Sequence, residues 1–410
     1  MKCLQFAMAV AVLSARFALA DTPRTETESR EKLVAIARDN HRFSSDLYRE
    51  LAASNRENLF VSPYSISTAL AMAFAGADGS TRAQMAKVLH LPNDNPQIHT
   101  LVNALKNAIS SHEEQSGFQL RIANRLWAQD GFPFLPAFLQ TTKSDYQAEM
   151  GLLNFKQTEE ARKTINLWVE QQTNQKVQEL LAPGVLNAST RLVITNAIYF
   201  KAGWSHPFNE RLTSNDKFHV SESVDAEVPL MHQTHRLPYA EAENLQVLEL
   251  PYGDNAELSM LVLLPKRPGD LADVEKLLTI EKFEELVSKL KSNLVDAYLP
   301  KFKMTSEFNL SDTLKAMGMS LAFSDQANFS KMSSSEPLAI SAVIHKAFVD
   351  VREEGTEAAA ATAVAIARSS IQIDPNKPVT FRADHPFIFL IRHRPTNSVL
   401  FLGRLMNPKG

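Results

Sequence analysis

REEGTEAAAATAVAIARSS, residues 352–370, is the stretch on which the reading of this sequence turns. Acids and a glycine lead into alanines and threonines with almost no bulk. Alanine is the best helix former, so propensity alone draws a helix over Glu357–Ala363. Yet the acids stand ahead of Gly355, and the run drifts into β-branched Val364 and Ile366. Local instructions conflict, and the rest of the chain must decide between a loose or helical surface segment and something extended.

The chain has 410 residues, 44% of them hydrophobic, enough to bury a large core. Length alone would suggest two or three domains. The net charge is −3, and no Arg-rich run or aromatic–basic alternation points to nucleic acid. The N-terminus opens with Lys2, an apolar run from Leu4 to Leu13 too short to span a bilayer, and Ala18-Leu19-Ala20. This pattern predicts a signal peptide over 1–20 with Asp21 beginning the mature chain; an N-terminal membrane anchor is the alternative. The single cysteine, Cys3, lies inside that segment, which leaves the mature chain without a disulfide, a thiolate nucleophile or a cysteine metal ligand. The 43 basic residues less Lys2 and Arg16, against 46 acids, make the mature chain −5.

Residues 21–29 are polar and predict a flexible tail. Leu33, Ile36, Ala37, Phe43, Leu47 and Leu51 then recur at helical spacing. Ser62 is an N-cap candidate with Pro63 in the first turn, opening a small-residue apolar helix that Gly76 and Gly79 break. A second helix starts after Ser80, and another covers Asn103–Ser111. FQLRIANRLWAQ (118–129) alternates as a strand, and 159–181 reads as one amphipathic surface helix. Leu192–Phe200 is nearly all apolar, as in a strand buried on both faces. Strands dominate from Val247, with helices at Ile280–Lys291 and Leu310–Met317. The order predicts one mixed α+β domain without repeats or long linkers.

Ordinary enzyme signatures do not appear: no G-x-S-x-G elbow, no P-loop, no dinucleotide fingerprint, no H-E-x-x-H. His232 and His235 have a loose metal-like spacing but read better as exposed loop histidines. Asp78-Gly79-Ser80-Thr81 reads as a turn and cap. A hydrolase stays open as a third class only because triads assemble from distant residues. No cofactor and no metal are expected.

Several blocks, in order, resemble the serpins, the serine-protease-inhibitor superfamily: NLFVSPYSISTALAMAFAGADGSTRAQM, TNAIYFKAGW, YLPKF, ISAVIHKAFVDV, VREEGTEAAAATA and ADHPFIFLIRHRPTNSVLFLGRLMNP. The resemblance covers nearly the whole mature chain and implies a serpin domain over 30–408. The implied fold is α+β, with three β-sheets, about nine helices and an exposed reactive-centre loop near 353–380. The implied partner is a target serine protease, which attacks the loop as a substrate and is trapped as a covalent acyl-enzyme. The cut loop then inserts into the large sheet, a standard case of strand addition.

Insertion explains the opening stretch. A strand points alternate residues inward, so Thr356, Ala358, Ala360, Thr362, Val364 and Ile366 share one face, all small or apolar. Glu357, Ala359, Ala361 and Ala363 fall on the other, with the acid toward solvent, and Gly355 supplies a hinge. A charge on the inward face would enter a low-dielectric interior at a cost of several kcal/mol. Its absence implies an inhibitory member rather than a serpin acting as carrier or chaperone.

Family spacing from Glu353 lands on Ser369, while Arg368 suits the acidic pocket of a trypsin-like protease. Arg368-Ser369 is the expected bait bond. Ser369-Ser370, or cleavage after Ala367 or Ile366 by an elastase- or subtilisin-like enzyme, is the alternative, and papain-like proteases stay open. The segment after the bait is longer than in many members. The resemblance also places a polar "shutter" at Ser62, Asn196 and His345, and a "breach", where insertion begins, at Trp204, Lys301 and Glu353. Gln175 stands where a glycine is usual, and Arg352 where asparagine is common. Residues 100–115 are nearly neutral, so no strong glycosaminoglycan dependence is expected. A secreted monomer, free of the membrane after signal cleavage, completes the expectation.

Overall fold

The computed structural model describes residues 22–110, 118–242, 244–333, 338–356 and 377–410, with backbone alone for 22–27. Within them the helices are α1 (Thr22–Ser54), α2 (Pro63–Gly76), α3 (Gly79–Leu89), α4 (Ile98–Ser110), α5 (Pro136–Tyr146), α6 (Thr158–Gln172), α7 (Leu271–Glu275), α8 (Ile280–Ser288) and α9 (Ser311–Ala316). The strands begin with β1 (Leu59–Val61), β2 (Phe118–Gln129), β3 (Gly151–Leu153), β4 (Leu192–Gly203), β5 (Ser214–Ser221), β6 (Val224–Ala242), β7 (Leu245–Tyr252) and β8 (Leu258–Pro265). They continue with β9 (Lys291–Pro300), β10 (Phe302–Asn309), β11 (Ala342–Arg352), β12 (Gly355–Thr356), β13 (Val379–Arg382), β14 (Phe387–His393) and β15 (Ser398–Leu405). The signal peptide, hinge positions Glu357 to Thr362 and the bait residues Arg368, Ser369 and Ser370 lie outside the described residues.

Leu192–Phe200 is buried at every position, as its composition requires, because β4 is central in a six-stranded sheet ordered β10-β11-β12-β4-β2-β3. Its neighbour β2 pairs antiparallel from Phe118↔Ala202 to Ala128↔Leu192. The other strands form a nine-stranded assembly, β1-β15-β14-β8-β7-β6-β9-β13, with β5 on β6. Two of the three expected sheets are therefore hydrogen-bonded into one path. The 19-residue β6 joins them, pairing with β5 and β9 along most of its length and with β7 only at Tyr239–Ala242.

Helix α2 packs against β2 and β4 of one sheet and β15 of the other, which explains its small apolar composition. Pro63 occupies its first turn, and Ser62 caps it by accepting from the Ser65 N–H. Gly76 is required by packing, since a β-carbon would sit 2.6 Å from Met332 Cβ. Phe60 stacks between Phe389 (5.7 Å) and Phe401 (5.2 Å), closing the core around β1.

Three expectations are corrected. The polar segment at 22–29 continues into α1 and is helical, not a flexible tail. The helix expected over 159–181 stops at Gln172, because Asn174 and Gln175 adopt left-handed backbone with φ 50° and 63°. Helix α8 ends at Ser288, so that Lys291 can begin β9.

Candidate functional site

Strands β11 and β4 run parallel and pair directly from Ala342↔Val193 to Phe348↔Tyr199. Above that point they part, and β12 lies between them, antiparallel to both. Gly355 pairs with Arg352 and Gly203, and Thr356 with Val351 and Ala202. Gly355 and Thr356, expected as the start of a hinge, thus lie in the seam between the two strands. Gly355 is there by necessity: a β-carbon would lie 2.1 Å from the Ala202 carbonyl oxygen. Thr356 is fully buried, and its Oγ1 meets the Tyr252 hydroxyl at 2.7 Å. Thr356 falls inward, the face that the alternation assigned to it.

The residues expected as a breach, Trp204, Lys301 and Glu353, lie together around this end of the seam. Trp204 Nε1 donates to the Arg352 carbonyl (2.9 Å), and the Trp204 ring stacks on Tyr252 at 4.4 Å. The Trp204 and Phe208 N–H groups donate to the carbonyls of Glu354 and Glu353, each at 2.9 Å. Glu353, nearly buried, receives Lys301 Nζ at 2.7 Å and the Thr213 hydroxyl at 2.8 Å. Burial pushes its carboxyl up, but these bonds outweigh burial and hold it below the usual range. Thr213 and Tyr252 were not anticipated. Both come from distant loop or strand ends, and nothing local in the sequence marks them.

Farther down the seam lies the polar cluster. His345 on β11 and Asn196 on β4 are direct register partners, and His345 Nδ1 bonds Asn196 Oδ1. The Ser62 N–H donates to His345 Nε2 at 3.2 Å, so that nitrogen is unprotonated and the proton sits on Nδ1. Complete burial keeps the imidazole neutral, its pKa pushed down to about 3. Asn196 Nδ2 continues to Ser65 Oγ (2.5 Å) and to Asn124 Oδ1, while Ser62 Oγ donates to the Leu400 carbonyl (2.7 Å). The three expected residues meet, and Ser65 and Asn124 join them. Asn124 had a readable signal: in FQLRIANRLWAQ it shares the inward face with Leu120, Ile122 and Leu126, where an amide needs a partner. Opening the seam must break the His345–Asn196 bond that crosses it.

The histidines read as loop residues lie instead on β6. His232 bonds Asp296 at 2.5 Å and stacks on Tyr298, whereas His235 stacks face to face on His206 at 3.6 Å. A three-residue step along a strand sends them to opposite faces, so the spacing does not chelate. Asp78 stands at the N-cap position of α3 but its side chain makes no capping bond, and Gly79, at φ 53°, is the first residue of that helix.

The family model described as "Serpin (serine protease inhibitor)" matches residues 38–408. A serpin-like protein of Thermococcus kodakarensis is 44% identical over 93% of this chain and 87% of its own length. The leukocyte elastase inhibitor of Bos taurus is 42% identical, covering 90% of this chain and 98% of that protein. Among solved structures, uncleaved ovalbumin superposes with a TM-score of 0.81 and 34% identity, over 91% of this chain and all of that one.

Proposed function

The chain belongs to the serpin family of serine protease inhibitors, and from that premise we propose that it is a secreted suicide inhibitor of a trypsin-like protease. One observation carries the reading: Gly355 and Thr356 already lie between β11 and β4, antiparallel to both. Continued insertion would exchange the seven parallel pairs of the seam for two antiparallel ladders, the more stable arrangement per residue. Small inward residues at 358, 360 and 362 keep that exchange free of buried charge.

In the proposed reaction the target's serine oxygen attacks the Arg368 carbonyl carbon. The Arg368–Ser369 bond breaks, the Ser369 amine leaves with a proton, and an ester links Arg368 to the protease. The loop end bearing that ester follows Thr356 down the seam. No residue of this chain acts as a catalyst, and the partner is the protease alone. Export rests on the N-terminal pattern of residues 1–20 and the cleavage signal before Asp21. No helix among the described residues is long and apolar enough to cross a membrane.

The test is to mix the purified chain with trypsin and with pancreatic elastase, then follow denaturing gels and mass spectrometry. The expected result is an SDS-stable complex with trypsin and release of a peptide beginning at Ser369. Clean cleavage without a complex would overturn inhibition. A complex with elastase alone would move the bait to Ser369-Ser370 or to Ile366 or Ala367, a second reading favoured by the similarity to the leukocyte elastase inhibitor.

A further inference from the structure

Several histidines face a carboxylate: His90 meets Asp46, His219 meets Asp225, His232 meets Asp296 and His385 meets Asp384. His206 and His235 face each other instead, with ring centres 3.6 Å apart and planes 23° from parallel. They come from separate elements. His206 stands in the strap that leaves β4, two residues past Trp204, and His235 stands on β6. The first is exposed and the second half-buried, so a hydrated ion can reach both.

Both rings are prepared as neutral nitrogen donors. His235 Nδ1 lies 3.2 Å from the Arg236 carbonyl, which can only accept, so that nitrogen carries the proton and Nε2 keeps its lone pair. A hydrogen bond of this kind fixes the tautomer and orientation of a metal-ligating imidazole. Desolvation, and after it the neighbouring His235, lowers the affinity of His206 for a second proton. Two metal–nitrogen bonds of about 2.0–2.1 Å meeting at the tetrahedral angle place their nitrogens about 3.3 Å apart. The ring separation is close to that bite. A turn about Cβ–Cγ, a torsion with broad preferences in histidine, makes the two lone pairs converge. We propose that His206 and His235 together bind a transition-metal dication of the Zn²⁺, Ni²⁺ or Cu²⁺ class, with water completing its coordination. Imidazole suits these ions, whereas Mg²⁺ and Ca²⁺ require oxygen ligands.

The ion ties the strap to β6. Within the strap the Trp204, Ser205 and Phe208 N–H groups donate to the carbonyls of Glu354, Pro251 and Glu353, each at 2.9 Å. His206 lies between these anchored residues, so fixing its side chain holds the three bonds closed for more of the time.

The whole mature chain is titrated near neutral pH with Zn²⁺ and with Mg²⁺ by calorimetry, and with Zn²⁺ by NMR of ring-labelled histidine. The expected result is one saturable Zn²⁺ site with Kd below about 100 μM and no saturation by Mg²⁺ below about 10 mM. The ring signals of His206 and His235 should move together up to one equivalent, while those of His219 and His232 stay in place. His206→Gln and His235→Gln should each weaken Zn²⁺ binding at least about tenfold, and His219→Gln should leave it unchanged. Absence of saturation, equal affinity for Mg²⁺, or shifts confined to other histidines overturns the site without any variant. Weakening by only one of the two substitutions overturns the bridge between the strap and β6. With Zn²⁺ bound, amide exchange at Trp204 and Phe208 should slow several-fold. Proven binding with unchanged exchange there would overturn the tie to the strap and leave the site.

Discussion

At Gly355 any side chain would collide with the Ala202 carbonyl, a rigid backbone atom that cannot move aside. Gly355→Ala should therefore expel β12 from the seam while leaving the rest of the sheet paired. Amide exchange at Thr356 should rise sharply, and Trp204 fluorescence should shift as Tyr252 loses its hydroxyl partner. Protection unchanged at Thr356 would refute the entry point. Gln175 poses the opposite case: φ 63° places a side chain where glycine is easier. Gln175→Gly should raise the thermal midpoint by relieving about 1 kcal/mol of strain, although glycine usually costs stability. The buried histidines set the pH response. Burial holds His345 down at about 3 and His41 and His99 at about 4, against 6.5 when unfolded. The unfolded chain then takes up protons first as pH falls, so this stability is whole above pH 6.5 and is lost on the way down to the folded values. Each histidine contributes a slope of about 1.4 kcal/mol per pH unit in its window. Denaturant midpoints level from pH 7 to 4.5 would contradict the assignment.

Among the elements, β11 and β4 hold the molecule's unusual bargain: a parallel seam locked by one side-chain bond across it. Asn196→Ala removes the acceptor for His345 Nδ1 and strands a buried donor, at a cost of about 1–3 kcal/mol. The lock weakens more than the remainder of the sheet. The expected outcome is faster conversion, without protease, to an inactive heat-resistant form, followed as loss of trypsin capture on warming. Conversion at the wild-type rate would mean the seam is held elsewhere. Much at this scale was legible in the sequence. The apolar run 192–200 announced a central strand, and Ser62 with Pro63 announced α2. The helix overrun past Gln172 was not read, although Asn174, a residue type tolerant of left-handed backbone, and Gln175, where a glycine is usual, both mark the stop. The polar trio was read through resemblance. Asn124 was marked by its place on the apolar face of β2, whereas Ser65, Tyr252 and Thr213 reach their partners by tertiary approach alone.

For the molecule as a whole, the proposed insertion of the cut loop as a new strand predicts a chain that is more stable once cut. Limited proteolysis in the loop by a protease that does not stay bound should raise the thermal midpoint by more than about 10 °C. A cut chain that melts at or below the intact one would show that Thr356 goes no farther than its present position.

The two ends of the loop are rooted in different sheets: Thr356 in the seam, Val379 beside Val295 on β9. On the proposed mechanism, a cut at Arg368 would leave the part joined to Thr356 free to follow the seam and the part joined to Val379 held at β9. Residues after the cut would then tune which proteases reach the bond and add nothing to the inserted strand. Shortening 371–376 should change the rates of capture from one protease to another and leave the gain in thermal stability on cleavage the same.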